Sequence, residues 1–401
     1  GLEDVLDYLE NLRFDALSLE YLKKQNLFSS QFLDYLKEFR FKGDVFALPE
    51  GTIFFAHEPL LRVTANIIEA QIIESYLLNT INFSTLIATK ASRIVHAAGG
   101  RAVYDFALRR THGADAGIKV ARSSYIAGFQ GTSCVLAGML YHIPIVGTMA
   151  HSYVMSFKSE LASFRAYAKV FPKRSTLLVD TYNTEEGIEN AIIVAKELQL
   201  KGYRLSGIRL DSGDITILSK LARHKLDRAG LNYVKIFVSG DLDEYKIEKL
   251  IRAGAKIDSF GVGTHMGVSS DMPYLDGIYK ISEVSEANGE FLPTMKLSKG
   301  KVTYPGRKQV FRIKDKKGNY LKDILGLEDE VLEGEPLLVK VMEKGRVIYK
   351  RPGLEKIRET TQDNLAHLSE KYKILNARAH YPVLLSPKLT KMTEVLSRSL
   401  K

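Results

Sequence analysis

The sequence predicts a mixed α/β fold, in which an irregular, TIM-like α/β barrel is joined to a smaller α+β, β-sandwich-like domain. Three apolar runs typical of buried parallel strands, Thr176–Tyr182, Leu205–Asp214 and Val234–Asp241, each lead to an aspartate. These aspartates are 31 and 30 residues apart, and each interval contains a helical pattern of apolar residues. Strand–helix units of this length predict parallel strands whose carboxyl ends share one face.

Two further runs add glycine, histidine and hydroxyl side chains to the predicted strand ends. The run Ile143–Ser152 reaches His151, and the run Ser259–Thr264 contains two glycines before its final threonine. In a barrel such ends converge, so residues far apart in sequence contribute to one site. At any single end, a turn with a helix cap explains Asp-Ser-Gly-Asp equally well, so the repetition carries the prediction.

The N-terminal part combines helices with short strands. Apolar residues recur at helical spacing through residues 1–43, and Asp44–Val63 favours short strands separated by proline and glycine turns. Asn66–Ala98 is apolar almost all round, which is typical of a buried helix. Near its end, Lys90 and Arg93 are three residues apart, a spacing that suits either a shared anion or a solvated face.

The middle of the chain carries the predicted barrel. After a pair of glycines, Ala102–Arg110 is predicted as a helix, and Val135–His142 as a second helix. The barrel units follow from Ile143 to about Val284.

Beyond Val284 the pattern becomes β-rich. Phe291–Arg312 and Leu337–Arg351 predict short strands, which the strands of the N-terminal part complete, whereas Leu354–Asn376 and Leu384–Lys401 have helical spacing. The predicted parts are 1–98 (helical and β), 99–284 (barrel with the active site) and 285–401 (β-rich and helical, packing with the first).

Composition disfavours several classes of protein. A chain of 401 residues with 45% hydrophobic residues can build a large core, and its one cysteine, Cys134, cannot form an internal disulfide. The sequence has no apolar run long enough to span a bilayer and no signal peptide at its start. The net charge of +10 is spread along the chain without an arginine-rich arm or zinc knuckle. We expect a soluble cytoplasmic protein that binds neither membranes nor nucleic acid, with Cys134 in its core.

The residue types at the strand ends suit a phosphorylated ligand. Walker lysine loops, GxGxxG, HExxH and CxxC motifs are absent, which disfavours P-loop kinases, Rossmann dehydrogenases and zinc hydrolases. Carboxylates beside glycine-rich turns suit Mg²⁺ and a phosphate, because Mg²⁺ takes hard oxygen ligands and such turns expose backbone N–H groups. A histidine there can be a base, an acid or a nucleophile, or can be structural. The candidate site residues are Asp180, Asp211, Asp241, Arg109, Arg209 and His151.

Eight stretches resemble those of one known family, in the same order and over nearly the whole chain. They are LPEGTIFFAHEPLLRV (48–63), INFSTLIATKASR (81–93), DFALRRTHG (105–113), GTMAHS (147–152), LLVDTY (177–182), IRLDSGD (208–214), VSGD (238–241) and FGVGT (260–264). Together they resemble nicotinate phosphoribosyltransferase, a type II phosphoribosyltransferase. The resemblance implies transfer of phosphoribose from phosphoribosyl pyrophosphate to nicotinate, with Mg²⁺ as cofactor and ATP as co-substrate.

The resemblance also implies roles for individual residues. His151 matches a histidine that ATP phosphorylates, Asp180 and Asp211 match metal and ribose carboxylates, and Arg209 matches an arginine facing the substituent of the pyridine ring. Phe106 matches a residue that stacks on that ring. The other implied substrate-binding residues are Arg109 for an anion, and Ser239, Gly240, Asp241, Gly261, Gly263 and Thr264 for the ribose 5-phosphate.

Ser133 indicates that the substrate is the acid nicotinate and not the amide nicotinamide. Related nicotinamide enzymes resemble this chain but carry an aspartate at that position, which would repel a carboxylate, whereas a serine can donate to nicotinate. The resemblance further implies a homodimer with shared active sites. Family members begin with an additional stretch containing a tyrosine that stacks on the base in the neighbouring site. This sequence starts after the corresponding position, which leaves two alternatives: the given chain is incomplete, or it lacks that part of the shared site.

Three alternatives remain open at this point. The chain could act on nicotinamide or quinolinate, it could be a nucleotide-binding barrel without catalysis, or it could be a basic nucleic-acid binder. A substrate panel, isotope transfer from ATP to His151 and the salt dependence of binding would separate them.

Overall fold

The structure is a computed structural model that describes residues 1–285, 289–297, 303–376 and 379–399. They form two compact units: a two-segment unit of Gly1–Phe83 with Leu275–Lys401, and a central unit of Ser84–Tyr274. The helices are α1 Leu2–Asn11, α2 Ala16–Lys24, α3 Ser30–Lys37, α4 Ile67–Ala97, α5 Ala114–Ile126, α6 Val135–Tyr141, α7 His151–Met155, α8 Glu160–Val170, α9 Thr184–Leu200, α10 Ile215–Arg228, α11 Glu244–Arg252, α12 Thr264–Gly267, α13 Leu354–His367 and α14 Pro387–Ser399. The strands are β1 Asp44–Ala47, β2 Leu61–Thr64, β3 Ala102–Asp105, β4 Thr176–Leu178, β5 Gly207–Leu210, β6 Lys235–Val238, β7 Ser259–Val262, β8 Glu283–Ser285, β9 Phe291–Pro293, β10 Lys308–Lys314, β11 Tyr320–Leu327, β12 Glu335–Pro336, β13 Val339–Glu343, β14 Arg346–Val347 and β15 Val383–Leu385.

The central unit is organised around a parallel five-stranded sheet with the order β3–β7–β6–β5–β4. Helices α9, α10 and α11 connect β4, β5, β6 and β7 in turn, so the predicted strand–helix repeat is present. Single bridges from Asp105 to Thr132 and from Thr132 to Ile145 extend the row beside β3. The mixed α/β fold is therefore confirmed. The row of strands is consistent with the predicted barrel, whose closure stays a prediction.

Strand burial explains why polar chemistry collects at the strand ends. Ile208, Leu210, Ile236 and Val238 are all fully buried. Ile236 and Phe237 are both buried although they are neighbours, as expected for a parallel sheet covered on both faces. Because the strand interiors are apolar, polar side chains are concentrated just beyond them.

The predicted helix over Ala102–Arg110 is wrong. Ala102–Asp105 forms β3, which pairs in parallel with Ser259–Val262, and a 3₁₀ turn follows at Leu108–Arg110. Alternate residues of β3 are buried, a period of two that a helix would not satisfy. The predicted run Ile143–Ser152 also contributes a single bridge, at Ile145, where a strand was expected.

The two-segment unit contains two four-stranded sheets, with the orders β14–β13–β1–β2 and β12–β10–β11–β15. β1 pairs antiparallel with β13, so Val45 faces Met342 across almost the whole length of the chain. This confirms that the Asp44–Val63 strands complete the C-terminal β-rich part. Of the range predicted as helical over 354–376, α13 covers the part up to His367. In the range 384–401, Leu384 and Leu385 belong to β15, and α14 begins at Pro387, with residues 400–401 outside the described part.

The burial of Cys134 and the apolar character of the helices both bear on expectations from composition. Cys134 is 2% exposed and packs in an apolar cluster with Ala121 and Ala137, as predicted. Across the described residues, the longest and most apolar helices fall short of what a membrane crossing requires.

Candidate active site

The ends of β4, β5 and β6 bring their polar residues together. The backbone N–H of Asp211 and the hydroxyl of Ser212 both donate to Asp180 Oδ2, at 2.8 and 2.7 Å. Ser239, which follows β6, donates its hydroxyl to Asp211 Oδ1. Four residues spread over about sixty positions of sequence therefore meet at one edge of the sheet, as the pattern of strand ends predicted.

Asp211 is the centre of this cluster. Arg209 Nη2 donates to its Oδ1 at 2.5 Å, and His151 Nε2 lies 3.7 Å from its Oδ2. Burial alone would raise the pKa of Asp211, but the charge of Arg209 and the hydrogen bond from Ser239 outweigh burial and lower it. Asp211 is therefore an ionised carboxylate at neutral pH.

Arg209 is held on three sides by its neighbours. Besides Asp211, its Nε donates to Ser239 Oγ at 2.7 Å and its Nη1 to Thr148 Oγ1 at 2.8 Å. The guanidinium carbon lies 5.5 Å from the ring centroid of Phe106, within cation–π range. A planar cation fixed beside an aromatic ring can bind a flat anionic ring.

His151 begins α7 and is partly exposed, with 38% of its side chain accessible to solvent. Its Nδ1 is hydrogen-bonded to Thr181 Oγ1 at 3.1 Å, so the ring is oriented with Nε2 towards Asp211. An imidazole with one nitrogen fixed and the other beside a carboxylate suits proton transfer or nucleophilic attack. Thr181 directly follows Asp180, but its contact with His151 was not predictable from the sequence.

Close contacts leave no room for a side chain at three glycines of the two glycine-rich turns. Gly240 has φ of 97°, and a Cβ there would lie 1.9 Å from the carbonyl oxygen of Asp211. A Cβ on Gly263 would lie 2.9 Å from the carbonyl oxygen of Phe106, and one on Gly261 would meet the Phe106 ring at 3.1 Å. These close approaches keep the two turns against the rest of the site.

Asp241 makes its side-chain contacts with residues outside the Asp211 cluster. It has φ of 51°, and its carboxylate contacts Lys246 Nζ and His265 Nε2, each at 2.6 Å. The hydrogen bond from Lys246 and the charge of His265 lower the pKa of Asp241. Thr264 is exposed at the start of α12, on the turn that also carries His265.

Asp105 links the Phe106 and Ser133 segments, a role that the sequence did not reveal. Its carboxylate accepts hydrogen bonds from Ala107 N at 2.8 Å and Thr132 Oγ1 at 2.6 Å, and its carbonyl accepts one from Ser133 N at 2.8 Å. Burial raises the pKa of Asp105 to about 6, although these hydrogen bonds act in the opposite direction. Ser133 is thereby held near the end of β3.

Arg109 is the predicted site residue that the structure connects least to the others. It lies in the exposed 3₁₀ turn, and the contacts described for residues 84–274 do not join it to Asp211.

Asp180 and Asp211 have the chemistry of a site for a hard cation. Asp180 Oδ1 is buried and accepts no hydrogen bond among the described residues, while Oδ2 is occupied by Asp211 and Ser212. The described residues contain no group of three or more potential ligands. Mg²⁺ ordinarily takes one or two carboxylates and completes its shell with water and substrate phosphates, so the two aspartates fit it.

This geometry belongs to the class of α/β enzymes that bind phosphorylated small molecules at the carboxyl ends of parallel strands. Family models for the nicotinate phosphoribosyltransferase N-terminal domain, the nicotinate phosphoribosyltransferase family and its C-terminal domain match residues 1–82, 102–306 and 332–393. The chain belongs to the nicotinate phosphoribosyltransferase family, which confirms the resemblance of its motifs.

Individual relatives are similar over nearly the whole chain. A Mycobacterium tuberculosis protein named nicotinate phosphoribosyltransferase pncB2 is 46% identical, covering 97% of this chain and 83% of the relative. A Bacillus subtilis nicotinate phosphoribosyltransferase is 39% identical, covering 99% and 87%. The crystal structure of human nicotinic acid phosphoribosyltransferase matches with a TM-score of 0.87 at 28% identity, covering 99% of this chain and 91% of that one. Nicotinate-nucleotide pyrophosphorylase from Pyrococcus furiosus matches with 0.69 at 27% identity, covering 91% and 97%.

Proposed function

We propose that this protein converts nicotinate and phosphoribosyl pyrophosphate into nicotinate mononucleotide and pyrophosphate in NAD salvage, with ATP hydrolysed alongside. The observation that carries the proposal is the Asp211 cluster, where one carboxylate contacts Arg209, Ser239 and His151. Family membership supports the same reaction.

In the proposed transfer, the pyridine nitrogen bonds to C1′ of the ribose while the bond between C1′ and pyrophosphate breaks. Positive charge develops on the ribose and negative charge on the departing pyrophosphate, so fixed charges of both signs are needed. The carboxylate of Asp211 and the hydroxyl of Ser239 orient the ribose. Asp180 and Asp211 would hold Mg²⁺, which when bound neutralises charge on pyrophosphate.

Phe106 and Arg209 are the proposed place of the pyridine ring. The ring stacks on Phe106, and its carboxylate pairs with the Arg209 guanidinium, which Thr148, Ser239 and Asp211 already orient. Ser133 donates its hydroxyl to the same carboxylate, which favours nicotinate over nicotinamide. Arg109 supplies a further cation for the phosphates.

His151 is the proposed acceptor of the γ-phosphoryl group of ATP. Thr181 engages Nδ1, so Nε2 attacks the phosphorus while the bond to ADP breaks. Water later cleaves the phosphorus–nitrogen bond, which releases phosphate and restores the imidazole. One ATP and one water are therefore consumed in each cycle.

The ribose 5-phosphate is proposed to bind the two glycine-rich turns through their backbone N–H groups. Residues Ser239, Gly240 and Asp241 form one turn, and the range 261–264 forms the other. A homodimer with shared sites and a cytoplasmic location complete the proposal. The dimer rests on the family resemblance, and the location rests on composition, chiefly the single cysteine.

Pyrophosphate release is the direct test of the reaction. Purified protein with phosphoribosyl pyrophosphate and Mg²⁺ would be given nicotinate, nicotinamide or quinolinate, each with and without ATP. We expect release with nicotinate and stimulation by ATP. If pyrophosphate were released with nicotinamide or quinolinate but not with nicotinate, that base would be the substrate instead. If the protein bound phosphoribosyl pyrophosphate but released no pyrophosphate with any of the three bases, it would be a non-catalytic barrel.

Replacing His151 by alanine is expected to abolish ATP stimulation while slow ribosyl transfer persists, because the imidazole serves the phosphoryl step alone. ATP hydrolysis and pyrophosphate release would be measured together. His224→Ala, at an exposed histidine of α10, is the matched control. Undiminished ATP coupling in His151→Ala would rule out the phosphohistidine.

A further inference from the structure

A buried charge cluster in the central unit joins α4, the start of α11 and the segment after α12. Lys90 is 3% exposed, and its ammonium lies 2.7 Å from Glu244 Oε2 and 2.6 Å from Asp271 Oδ1. Arg93, one turn further along α4, bonds Glu244 Oε1 through Nε at 2.8 Å. Two cations therefore face two carboxylates, which replaces both alternatives from the sequence, a bound anion and a solvated face.

Each carboxylate of this cluster follows one of the two glycine-rich turns. Glu244 is the first residue of α11 and comes three residues after Asp241, the end of the Ser239–Asp241 turn. Asp271 lies four residues beyond α12, the short helix that begins at Thr264. One ammonium group, that of Lys90, thus contacts the segments behind both turns. The turns themselves are not in contact with Lys90 in the described interactions, so any influence on a ligand must pass through these segments.

The first turn of α11 also connects the charge cluster to the glycine-rich turn at Asp241, through Lys246. Lys246 Nζ donates to the carbonyl oxygen of Asp241 at 2.7 Å and to its carboxylate at 2.6 Å. Asp243 caps the same helix by accepting from Lys246 N at 2.7 Å. Glu244 and Lys246 both lie in the first turn of α11. If Glu244 moved relative to Lys90, Lys246 would therefore move too, and with it the turn at Asp241.

We propose that Lys90 is a positioning residue that fixes the spacing of the two glycine-rich turns and so sets the affinity for the 5-phosphate of the ribosyl substrate. The inference rests on the proposed function. Backbone N–H groups from two turns bind one phosphate well only when their separation is preset, since ordering them during binding costs affinity. A buried ion pair suits this task because moving its partners apart leaves uncompensated charge in the interior, whereas an apolar contact permits sliding.

The chemistry of the cluster predicts which substitutions separate positioning from folding. Lys90→Met retains the length of the side chain, and Glu244 keeps Arg93 as its partner. Asp271, whose side chain is 38% exposed, can turn towards water once the ammonium is lost. Asp271→Asn removes the charge of the same ion pair from the opposite side, at a more exposed residue. In both variants, Asp271, which follows the 261–264 turn, therefore loses its ion pair. Glu244, which follows the Ser239–Asp241 turn, keeps its ion pair with Arg93.

Isothermal calorimetry with the full chain tests the proposal. Ribose 5-phosphate and magnesium pyrophosphate would be titrated separately into wild type, Lys90→Met and Asp271→Asn. We expect the Kd for ribose 5-phosphate to rise roughly 10-fold in both variants, the size usual for positioning networks, with the Kd for pyrophosphate unchanged. In turnover, KM for phosphoribosyl pyrophosphate should rise with kcat and KM for nicotinate preserved.

Lys225→Met is the matched control, because Lys225 also contacts two carboxylates, Glu185 and Glu189, at 2.9 and 2.5 Å. An unchanged Kd for ribose 5-phosphate in both variants would overturn the proposal, as would equal weakening of both ligands or an equal effect of Lys225→Met. Absence of phosphoribosyl pyrophosphate binding and turnover in wild type would instead reject the proposed function, and the inference with it.

Discussion

Asp211→Asn is expected to lower kcat/KM for nucleotide formation by roughly 1000-fold, the scale on which enzymes lose fixed transition-state charges. The carboxylate is at once the partner of Arg209, the acceptor of the Ser239 hydroxyl and the neighbour of His151 Nε2. An asparagine keeps the shape but removes the charge, so Arg209 loses its ion pair and the proposed magnesium site loses one of its two carboxylates. Its amide oxygen can still accept from Arg209 and Ser239, but its N–H donors then take the place of Oδ2, beside His151 Nε2, where they cannot bind a cation.

The measurement is steady-state pyrophosphate release together with magnesium dependence. Asp214→Asn is the matched control, since Asp214 lies three residues further on and caps α10 by accepting from Ile217 N at 3.1 Å. Asparagine caps a helix as well as aspartate does, so that variant should remain active and stable. Near-wild-type activity of Asp211→Asn would show that the cluster around it is structural.

The strand-end residues were predictable because two simple periodicities locate them. Apolar runs buried on both faces identify strands, and intervals of 31 and 30 residues identify the crossovers, so Asp180 and Asp211 could be placed at one edge. Convergence then follows from parallel pairing, which the structure gives β4 to β5 and β5 to β6. No side-chain contact had to be known for this conclusion.

The rest depends on partners that sequence spacing does not identify. The segment Ala102–Arg110 has apolar residues compatible with either period, and its pairing with Ser259–Val262 decides in favour of a strand. The bond between Asp105 and Thr132 spans 27 residues, and Lys90 meets carboxylates more than 150 positions away. A lysine on a helix is usually solvated, so burial of Lys90 becomes visible only when the facing carboxylates are known.

A buried carboxyl in the two-segment unit leads to the second large prediction, a loss of stability as pH rises. Glu58 is 9% exposed and accepts a hydrogen bond from Phe55 N at 2.9 Å, beside the carboxyl of Asp323. Arg312 and Tyr381 both donate hydrogen bonds to Asp323. The charge of the Arg312 guanidinium also acts on Glu58, so one cation lies near two carboxyl groups. Burial, followed by the hydrogen bond and charge of Asp323, raises the pKa of Glu58 to about 9.

The direction of the pH effect follows from where the proton is bound. Between the ordinary glutamate pKa of 4.5 and about 9, folded Glu58 keeps a proton that the unfolded chain has released. The contribution of Glu58 to the free energy of unfolding is fully present below pH 4.5 and is lost as the pH rises to about 9. Within that window, the free energy of unfolding should fall by about 1.4 kcal/mol per pH unit from this group.

Glu58→Gln should remove this slope, because a neutral amide can accept from Phe55 N and donate to Asp323 without binding a proton. The difference in free energy of unfolding between variant and wild type should therefore grow in favour of the variant as pH rises from about 5.5 to about 8.5. Glu69→Gln is the matched control, since Glu69 is also buried and accepts from Lys42 N at 2.7 Å. Parallel stability curves for Glu58→Gln and wild type would mean that Glu58 is ionised in the folded protein, and the Arg312 guanidinium would then have to neutralise both carboxylates.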